Sequence, residues 1–228
     1  MDLLSNPQFW LGLGQIIWIN IILSGDNAVV IALAARGLQG KQQKQAIFWG
    51  TAAAVVLRVV LTIVAVKLMQ LPWLQLVGGI LLLWIGVQLL NDGDDGESDH
   101  HGNSNLLTAI RTILVADLVM SLDNVIGVAA AANGNITLLV FGLAIAIPIV
   151  IFGSTLMIKV MSRFPVIVTL GAALIGWVAG ETVVSDKMIE PWVPHHSVGF
   201  YLAAVTGAVL VVLTGKLLQR RNAARAEA

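Results

Sequence analysis

The chain has 228 residues, of which 57% are hydrophobic and 11% are charged, against roughly 25% charged residues in a typical soluble domain. Its mean hydropathy of +0.87 exceeds what the core of a soluble protein can absorb. Lysine and arginine (13) balance aspartate and glutamate (13), so there is no basic excess of the kind that favours nucleic acid or an anionic lipid surface. The absence of cysteine excludes disulfides and thiolate metal ligands.

Apolar runs of about 20 residues recur along the whole chain, and a helix of that length crosses the hydrocarbon layer of a membrane. The runs do not alternate as the strands of a barrel would. They predict an all-α polytopic membrane protein in contact with membrane lipid. No basic segment precedes the first run, which is too long for a signal-peptide core, so we expect it to be retained. The seven predicted spans lie near residues 8–35, 45–70, 72–90, 106–132, 136–158, 165–184 and 198–218.

The first and fourth spans share a signature. Residues 20–27 (NIILSGDN) match residues 117–124 (DLVMSLDN) at an offset of 97. The match continues at offsets of 92 and 93 in four pairs: Lys67 with Lys159, Pro72 with Pro165, Trp84 with Trp177, and Gln88 with Glu181. Because each copy holds three spans, the second copy enters the membrane from the opposite side, as in many secondary transporters.

The sequence therefore predicts four units. Residues 1–90 form the first three-helix repeat, and residues 106–190 form the second, inverted repeat. Between them, residues 91–105 form an acidic and histidine-containing cytoplasmic linker. Residues 191–228 hold the seventh span and a basic cytoplasmic tail. Within the linker, residues 92–101 (DGDDGESDHH) predict a solvated segment, with weak metal capture as the alternative.

Lysine and arginine lie unevenly about the predicted spans, with ten on one side of the membrane and two on the other. Since cytoplasmic loops carry the excess of these residues, the side with ten is predicted to be cytoplasmic. We expect a multi-pass protein of the inner (cytoplasmic) membrane, with its N-terminus outside and its C-terminus in the cytoplasm. The ten are Arg36, Lys41, Lys44, Arg111, Lys159, Arg163, Lys216, Arg220, Arg221 and Arg225, and the two are Lys67 and Lys187.

Three aspartates lie inside predicted spans: Asp26, Asp117 and Asp123. Each costs roughly 2.5–3.5 kcal/mol on an insertion scale, and such residues usually serve a function. Arg58, also within a span, is a possible counter-ion, but one arginine cannot neutralise three aspartates. The remaining carboxyl groups must be protonated, hydrogen-bonded or available to a cation, so we predict a functional role for Asp26 and Asp123.

Each signature also predicts a polar stripe on one helix face, because its polar residues follow i, i+4, i+7 spacing. Such stripes often make interhelical hydrogen bonds, but the adjacent carboxylates favour a cation site. Gly25 is a candidate hinge, where unwound backbone would add carbonyl ligands. The stripe residues are Asn20, Ser24 and Asn27 in the first signature and Asp117, Ser121 and Asn124 in the second.

Carboxylate and amide oxygens suit hard divalent ions such as Mn²⁺, Mg²⁺ and Ca²⁺, whereas zinc and copper sites usually recruit cysteine or histidine. Glu181, near the outer end of the sixth span, is either a further ligand or an interfacial glutamate. No motif for hydrolysis or nucleotide binding is present, so we predict no enzyme and expect secondary transport. The predicted metal ligands are Asp26, Asn27, Asp117, Asp123, Asn124 and Glu181.

Residues 24–38 (SGDNAVVIALAARGL) and 117–131 (DLVMSLDNVIGVAAA), with the seven-span layout, resemble the TerC family of integral membrane proteins, particularly its short bacterial branch. The resemblance covers nearly the whole chain. That family is related to the lysine-exporter superfamily, and its members are implicated in Mn²⁺ efflux and tellurium resistance. The resemblance implies a manganese exporter, and it marks the paired Asp-Asn residues, Asp117 and Glu181 as the site.

Three functions remain open on the sequence. The first is export of a divalent ion, most simply Mn²⁺ as substrate, as the two repeats rock about the site, with proton exchange on the aspartates as a possible coupling. The second is export of a cationic or zwitterionic solute such as an amino acid. The third is a non-transporting membrane partner that binds metal and regulates or metallates another protein. The oligomeric state is not predicted, and no nucleic-acid partner is expected.

Overall fold

The computed structural model describes residues 7–22, 24–68, 71–91, 106–132 and 135–226, and within these ranges it contains eight helices and no strand. The predicted all-α class is confirmed. The helices are α1 (Pro7–Ile22), α2 (Ser24–Ala35), α3 (Gly40–Leu68), α4 (Leu74–Asn91), α5 (Leu106–Ala132), α6 (Ile136–Arg163), α7 (Val166–Val184) and α8 (Val198–Ala226).

Five helices in the described part of the chain, α3, α4, α6, α7 and α8, are long and apolar enough to cross a membrane. The protein is therefore a membrane protein with several spanning helices. α5 has 27 residues, about 40 Å at 1.5 Å per residue, but it carries the charged residues of the second signature. Over residues 8–35, where the sequence predicts one span, the described residues form α1 and α2. Leu23, between them, lies outside the described residues.

α4, α7 and α8 pack into a three-helix unit. Glycines allow α7 and α8 to approach closely, because a Cβ on Gly180 would overlap with the carbonyl oxygen of Ala203. Gly176 and Gly207 meet backbone to backbone in the same way. Small residues four positions apart, such as Gly176 and Gly180, are typical of membrane helix pairs. In lipid, close packing of the two backbones stabilises such a pair, because the hydrophobic effect does not drive helices together there. The seventh predicted span is thereby fixed to the last helix of the second repeat.

Both ends of α4 are capped by side chains from distant parts of the chain. At its start, Asp186 accepts hydrogen bonds from the backbone N–H groups of Trp73 and Leu76, each at 3.2 Å. At its end, Arg36 donates to the carbonyl of Leu89 at 2.6 Å, and Gln219 of α8 donates to that of Leu90 at 2.7 Å. A negative charge at the N-terminus and a positive charge at the C-terminus both complement the helix dipole.

The other helices, α1, α2, α3, α5 and α6, form a five-helix unit, in which α3 packs along α5 and α6 packs against α1 and α2. The largest apolar core lies where the two units meet, between α2 and α5 on one side and α4 and α7 on the other. Gly78 of α4 lies against Val119 of α5, and Gly171 of α7 lies against Val29 of α2. The two helices that carry the signatures thus both lie at the boundary between the units.

Candidate cation site

The central feature of the site is a buried ion pair between α3 and α5. Arg58 is 6% exposed and Asp117 is 7% exposed, and the Nη2 of Arg58 donates to the Oδ1 of Asp117. Ser121, one turn further along α5, closes a triangle: it accepts from the Nε of Arg58 at 3.0 Å and donates to the Oδ2 of Asp117 at 3.2 Å. The carboxylate therefore has a partner on each of its two oxygens.

Such a triangle is stable only while it is complete. Removing a carboxylate and a guanidinium from water costs several kcal/mol per ion, which their mutual attraction and hydrogen bonds must offset. The backbone of Arg58 is also engaged, because its carbonyl accepts a hydrogen bond from Thr62 at 2.7 Å. A change that removes one charge would leave the other buried and uncompensated, so any event that parts Arg58 from Asp117 must supply another cation or a proton for the carboxylate.

Asp26 and Asn27 lie in the first turn of α2, at the boundary between the helix units. The Oδ1 of Asp26 accepts from the backbone N–H of Asn27 at 2.8 Å, and the side chain of Asn27 is buried. α2, which carries Asp26, packs against α3 and α5, which carry the ion pair. The first signature and the ion pair of the second therefore lie on neighbouring helices.

Both signatures are helical where the structure describes them. In the second, the Nδ2 of Asn124 donates to the carbonyl of Met120 within α5 at 3.0 Å. In the first, Gly25 has open space around it, since a Cβ there would meet no atom within 4 Å. Packing therefore does not require glycine at this position. The side chains of Asn20, Ser24 and Asp123 lie outside the described residues.

Glu181 lies on a different surface. Its Oε1 accepts from the Nε1 of Trp177 at 2.8 Å. Leu170, Leu174, Trp177 and Glu181 follow i, i+4, i+7, i+11 spacing on α7, and both leucines are exposed. This face is turned away from the faces of α7 that pack on α4 and α8. No hydrogen bond or ion pair among the described side chains joins Glu181 to Asp26 or Asp117.

The described residues contain no group of three or more histidine, aspartate or glutamate side chains that could hold a metal ion. What they do contain is the buried carboxylate of Asp117, which an arginine neutralises, and the partly buried carboxylate of Asp26 on an adjacent helix. The oxygen donors are of the type that hard cations prefer. Because Arg58 already neutralises Asp117, a second cation at this carboxylate would compete with the guanidinium.

A comparison with protein families matches residues 5–223 to the integral membrane protein TerC family. The chain belongs to the TerC family. Its relatives include an uncharacterized membrane protein of Bacillus subtilis, YjbE, which is 41% identical over 213 residues, covering 93% of this chain and 97% of YjbE. The family resemblance that the doubled signature indicates is thus confirmed, and TerC membership is consistent with a membrane transporter.

Two more distant relatives of this TerC protein match nearly all of its chain but differ in how much of their own length is matched. YceF of Bacillus subtilis is 23% identical over 222 residues, covering 93% of this chain and 84% of YceF. The inner membrane protein YoaE of Escherichia coli K12 is 24% identical over 241 residues, covering 97% of this chain. The chain spans only 45% of YoaE, so that protein has additional parts. No solved structure matches the chain.

Sequence reasoning missed one buried acid of the TerC chain, Asp186, which it placed in a loop. Asp186 is 1% exposed, and besides capping α4 it accepts from the backbone N–H of Met188 at 3.0 Å. The available signal was indirect: the residues before α4, Leu71, Pro72 and Trp73, include none of the usual N-capping residues, so the helix needs a distant acceptor. Nothing in the sequence indicated which acceptor that was.

Proposed function

We propose that this TerC protein is a secondary transporter of a divalent metal ion, with Mn²⁺ the first ion to test. The observation that supports this most directly is the buried triangle of Arg58, Asp117 and Ser121, with Asp26 partly buried on the neighbouring α2. Ionisable groups inside a membrane protein are costly and normally mark an ion or substrate pathway. Here Asp26 and Asp117 lie on α2 and α5, the two helices through which the five-helix unit packs against the three-helix unit.

In this proposal Arg58 acts as a tethered cation. It neutralises Asp117 while no substrate is bound, and an arriving metal ion displaces it. Asp26 and the released Asp117 then offer two negative charges, which match one divalent ion. Asp123, Asn27 and Asn124 are the further oxygen donors we propose. We leave Glu181 out of the site, because its described contacts are with Trp177 and Ser185 on its own helix.

The packing of the helices supports the inverted repeats that the sequence predicts. α3, the second predicted span of the first repeat, packs on α5, the first span of the second repeat, and α6 packs reciprocally on α1 and α2. The third spans follow the same rule, since α4 contacts α5 and α7 contacts α2. This reciprocity is what a two-fold axis relating two inverted copies would produce.

We further propose that alternating access is a movement of the five-helix unit against the three-helix unit. This boundary differs from the one expected on the sequence, where one repeat rocks against the other. The third predicted span of each repeat, α4 or α7, belongs to the three-helix unit, and the first two spans of each repeat belong to the five-helix unit. α8 holds α4 and α7 together. The apolar core between the units is suited to sliding, because it contains few directional contacts.

The ends of the helices are consistent with the proposed orientation. The end of α8 meets the ends of α2 and α4 through Gln219 and Arg36, which places these three ends on one side, proposed here as the cytoplasmic side. The end of α7 meets the start of α4 through Asp186, which places that contact on the opposite side. Metal would therefore enter from the side that carries Arg36 and leave on the side of Asp186.

The proposal is tested by Mn²⁺ flux into proteoliposomes that contain a manganese-sensitive dye. We expect saturable flux above that of protein-free vesicles of the same lipid. Flux no greater than in those vesicles would refute metal transport. In that event, saturable lysine release without metal dependence would support the amino-acid exporter, and Mn²⁺ binding without flux would support the partner protein.

A further inference from the structure

The two faces of α8 have different surroundings. One face packs against the bundle: Val211 lies against Gly86, Gly215 lies against Leu90, and the side chain of Gln219 donates to the carbonyl of Leu90. These contacts follow a four-residue spacing, so they define one continuous packed face. The position of this face fixes which side of the helix points away from the protein.

The opposite face of α8 is apolar along most of its length and basic at its end. Leu213, Lys216, Leu217 and Arg220 follow i, i+3, i+4, i+7 spacing, and all four are exposed. Arg221, also exposed, lies one turn beyond Leu217. The basic residues therefore continue the surface on which the exposed leucines lie, and do not start a separate one.

The length of α8 places these charges at the level of lipid headgroups. Its 29 residues span about 44 Å at 1.5 Å per residue, whereas the hydrocarbon layer is about 30 Å thick. The part that exceeds the hydrocarbon includes the basic end, since the apolar residues occupy the start of the helix. Leu213 and Leu217 would then lie beside acyl chains, with Arg220 and Arg221 at the phosphate level.

Lys216, Arg220 and Arg221 of α8 form no ion pair with any acid in the described part of the chain, where the ion pairs are Arg58 with Asp117 and His195 with Glu190. Arg36, which caps the neighbouring α4, adds positive charge at the same end of the bundle. Although the charge of the whole chain is balanced, positive charge is therefore in local excess at one membrane surface.

We propose that Lys216, Arg220 and Arg221 form a binding site for the phosphate headgroup of an anionic phospholipid, whose acyl chains lie along Leu213 and Leu217. Juxtamembrane basic residues attract anionic lipid by roughly fivefold in binding for each charge near the surface. A soluble anion would use the charges but not the adjoining leucines, so the combined surface favours a lipid. This site is separate from the cation site and does not depend on metal transport.

The test uses the full-length protein in detergent, with thermal unfolding followed by the fluorescence of its seven tryptophans. Phosphatidylglycerol and phosphatidylcholine with identical acyl chains are titrated separately, and glycerol phosphate is the soluble probe. We expect phosphatidylglycerol to raise the unfolding temperature at a much lower concentration than phosphatidylcholine does. Glycerol phosphate should have no effect at the same concentration, and an equal effect of it would overturn the lipid assignment.

The variant Lys216→Gln/Arg220→Gln/Arg221→Gln should lose the preference for phosphatidylglycerol. The matched control Lys41→Gln/Lys44→Gln/Lys187→Gln removes the same number of exposed charges elsewhere and should keep it. A preference that survives in the first variant, or disappears equally in the control, would overturn the proposal. Because these tests need folded variants, the wild type is also titrated at about 1 M salt, where screening shortens the Debye length to about 3 Å and should weaken the preference.

The competing occupant of the basic face is the acidic segment that begins after Asn91, whose side chain is hydrogen-bonded to Asn222 of α8 at 3.2 Å. If that segment occupies the face, the wild type will show no preference for phosphatidylglycerol. A variant with the acids of residues 92–99 neutralised will then acquire one. That pair of results would overturn the lipid proposal for the native chain, whereas a preference in the wild type supports it.

Discussion

A disulfide across the boundary between the helix units should stop transport. The chain contains no cysteine, so the variant Gly78→Cys/Val119→Cys can form a single defined bond between α4 and α5. A Cβ at position 78 lies 3.6 Å from the Cβ of Val119, inside the usual range of about 3.5–4.5 Å for disulfides. If the five-helix unit moves against the three-helix unit, this bond holds them in one arrangement.

The control is the variant Gly50→Cys/Ile113→Cys, which joins α3 to α5 within the five-helix unit. Its Cβ atoms would lie 3.4 Å apart. In the chain-entropy treatment both disulfides stabilise the fold by about 4 kcal/mol, because stabilisation grows only slowly with loop length. The Cβ separations of 3.6 and 3.4 Å are close, the second being just below the usual range, and the expected stabilisation is similar. The two variants therefore differ mainly in whether the bond crosses the proposed moving boundary.

The assay is Mn²⁺ flux before and after oxidation, with the crosslinked fraction measured by gel shift after thiol labelling. Flux through the Gly78–Val119 variant should fall in proportion to the crosslinked fraction and return on reduction. Flux through the Gly50–Ile113 variant should not change. Full flux through the crosslinked Gly78–Val119 variant would refute movement at this boundary, and equal losses in both variants would show that the effect comes from crosslinking itself.

Three further predictions concern stability, each measured by thermal unfolding of purified protein. Arg58→Gln leaves the carboxylate of Asp117 buried without its counter-ion and should cost about 3–5 kcal/mol, while Arg58→Met/Asp117→Leu should recover most of it; equal losses would contradict the ion-pair account. Gly180→Ala forces a Cβ into a backbone carbonyl of α8 and should lower the free energy of unfolding by about 1–3 kcal/mol or more. In the control Gly14→Ala, the new Cβ meets no atom within 4 Å, and the fold should not be destabilised. Similar stability of the two variants would contradict the close packing of α7 on α8. Asp186→Asn weakens the cap of α4 and should cost about 0.5–2 kcal/mol while Mn²⁺ flux is retained; loss of flux at unchanged stability would mean that Asp186 serves transport.

The helices were predictable because they depend on local sequence. Apolar runs of sufficient length predict spans wherever they occur, and the observed helices α3, α4, α6, α7 and α8 lie in five of the predicted ones.

The partners of the polar side chains were much less predictable. Arg58 and Asp117 are separated by 59 positions, and the sequence offered three aspartates as possible partners. The choice depends on the rotation of α3 against α5, which the packing of many apolar side chains decides. Asp186 reaches α4 across 113 positions for the same reason. Periodicity predicts which face of a helix is polar, but it does not identify the face of another helix that meets it.

The most direct test of the account compares Mn²⁺ flux in proteoliposomes of the wild type, Asp26→Asn and Asp123→Asn, with Glu190→Gln as a control that neutralises an exposed loop carboxylate. Each protein is first shown to be folded and monodisperse. We expect both aspartate variants to lose Mn²⁺ flux and Glu190→Gln to retain it. Flux that survives in both aspartate variants would contradict a cation path through the paired signatures.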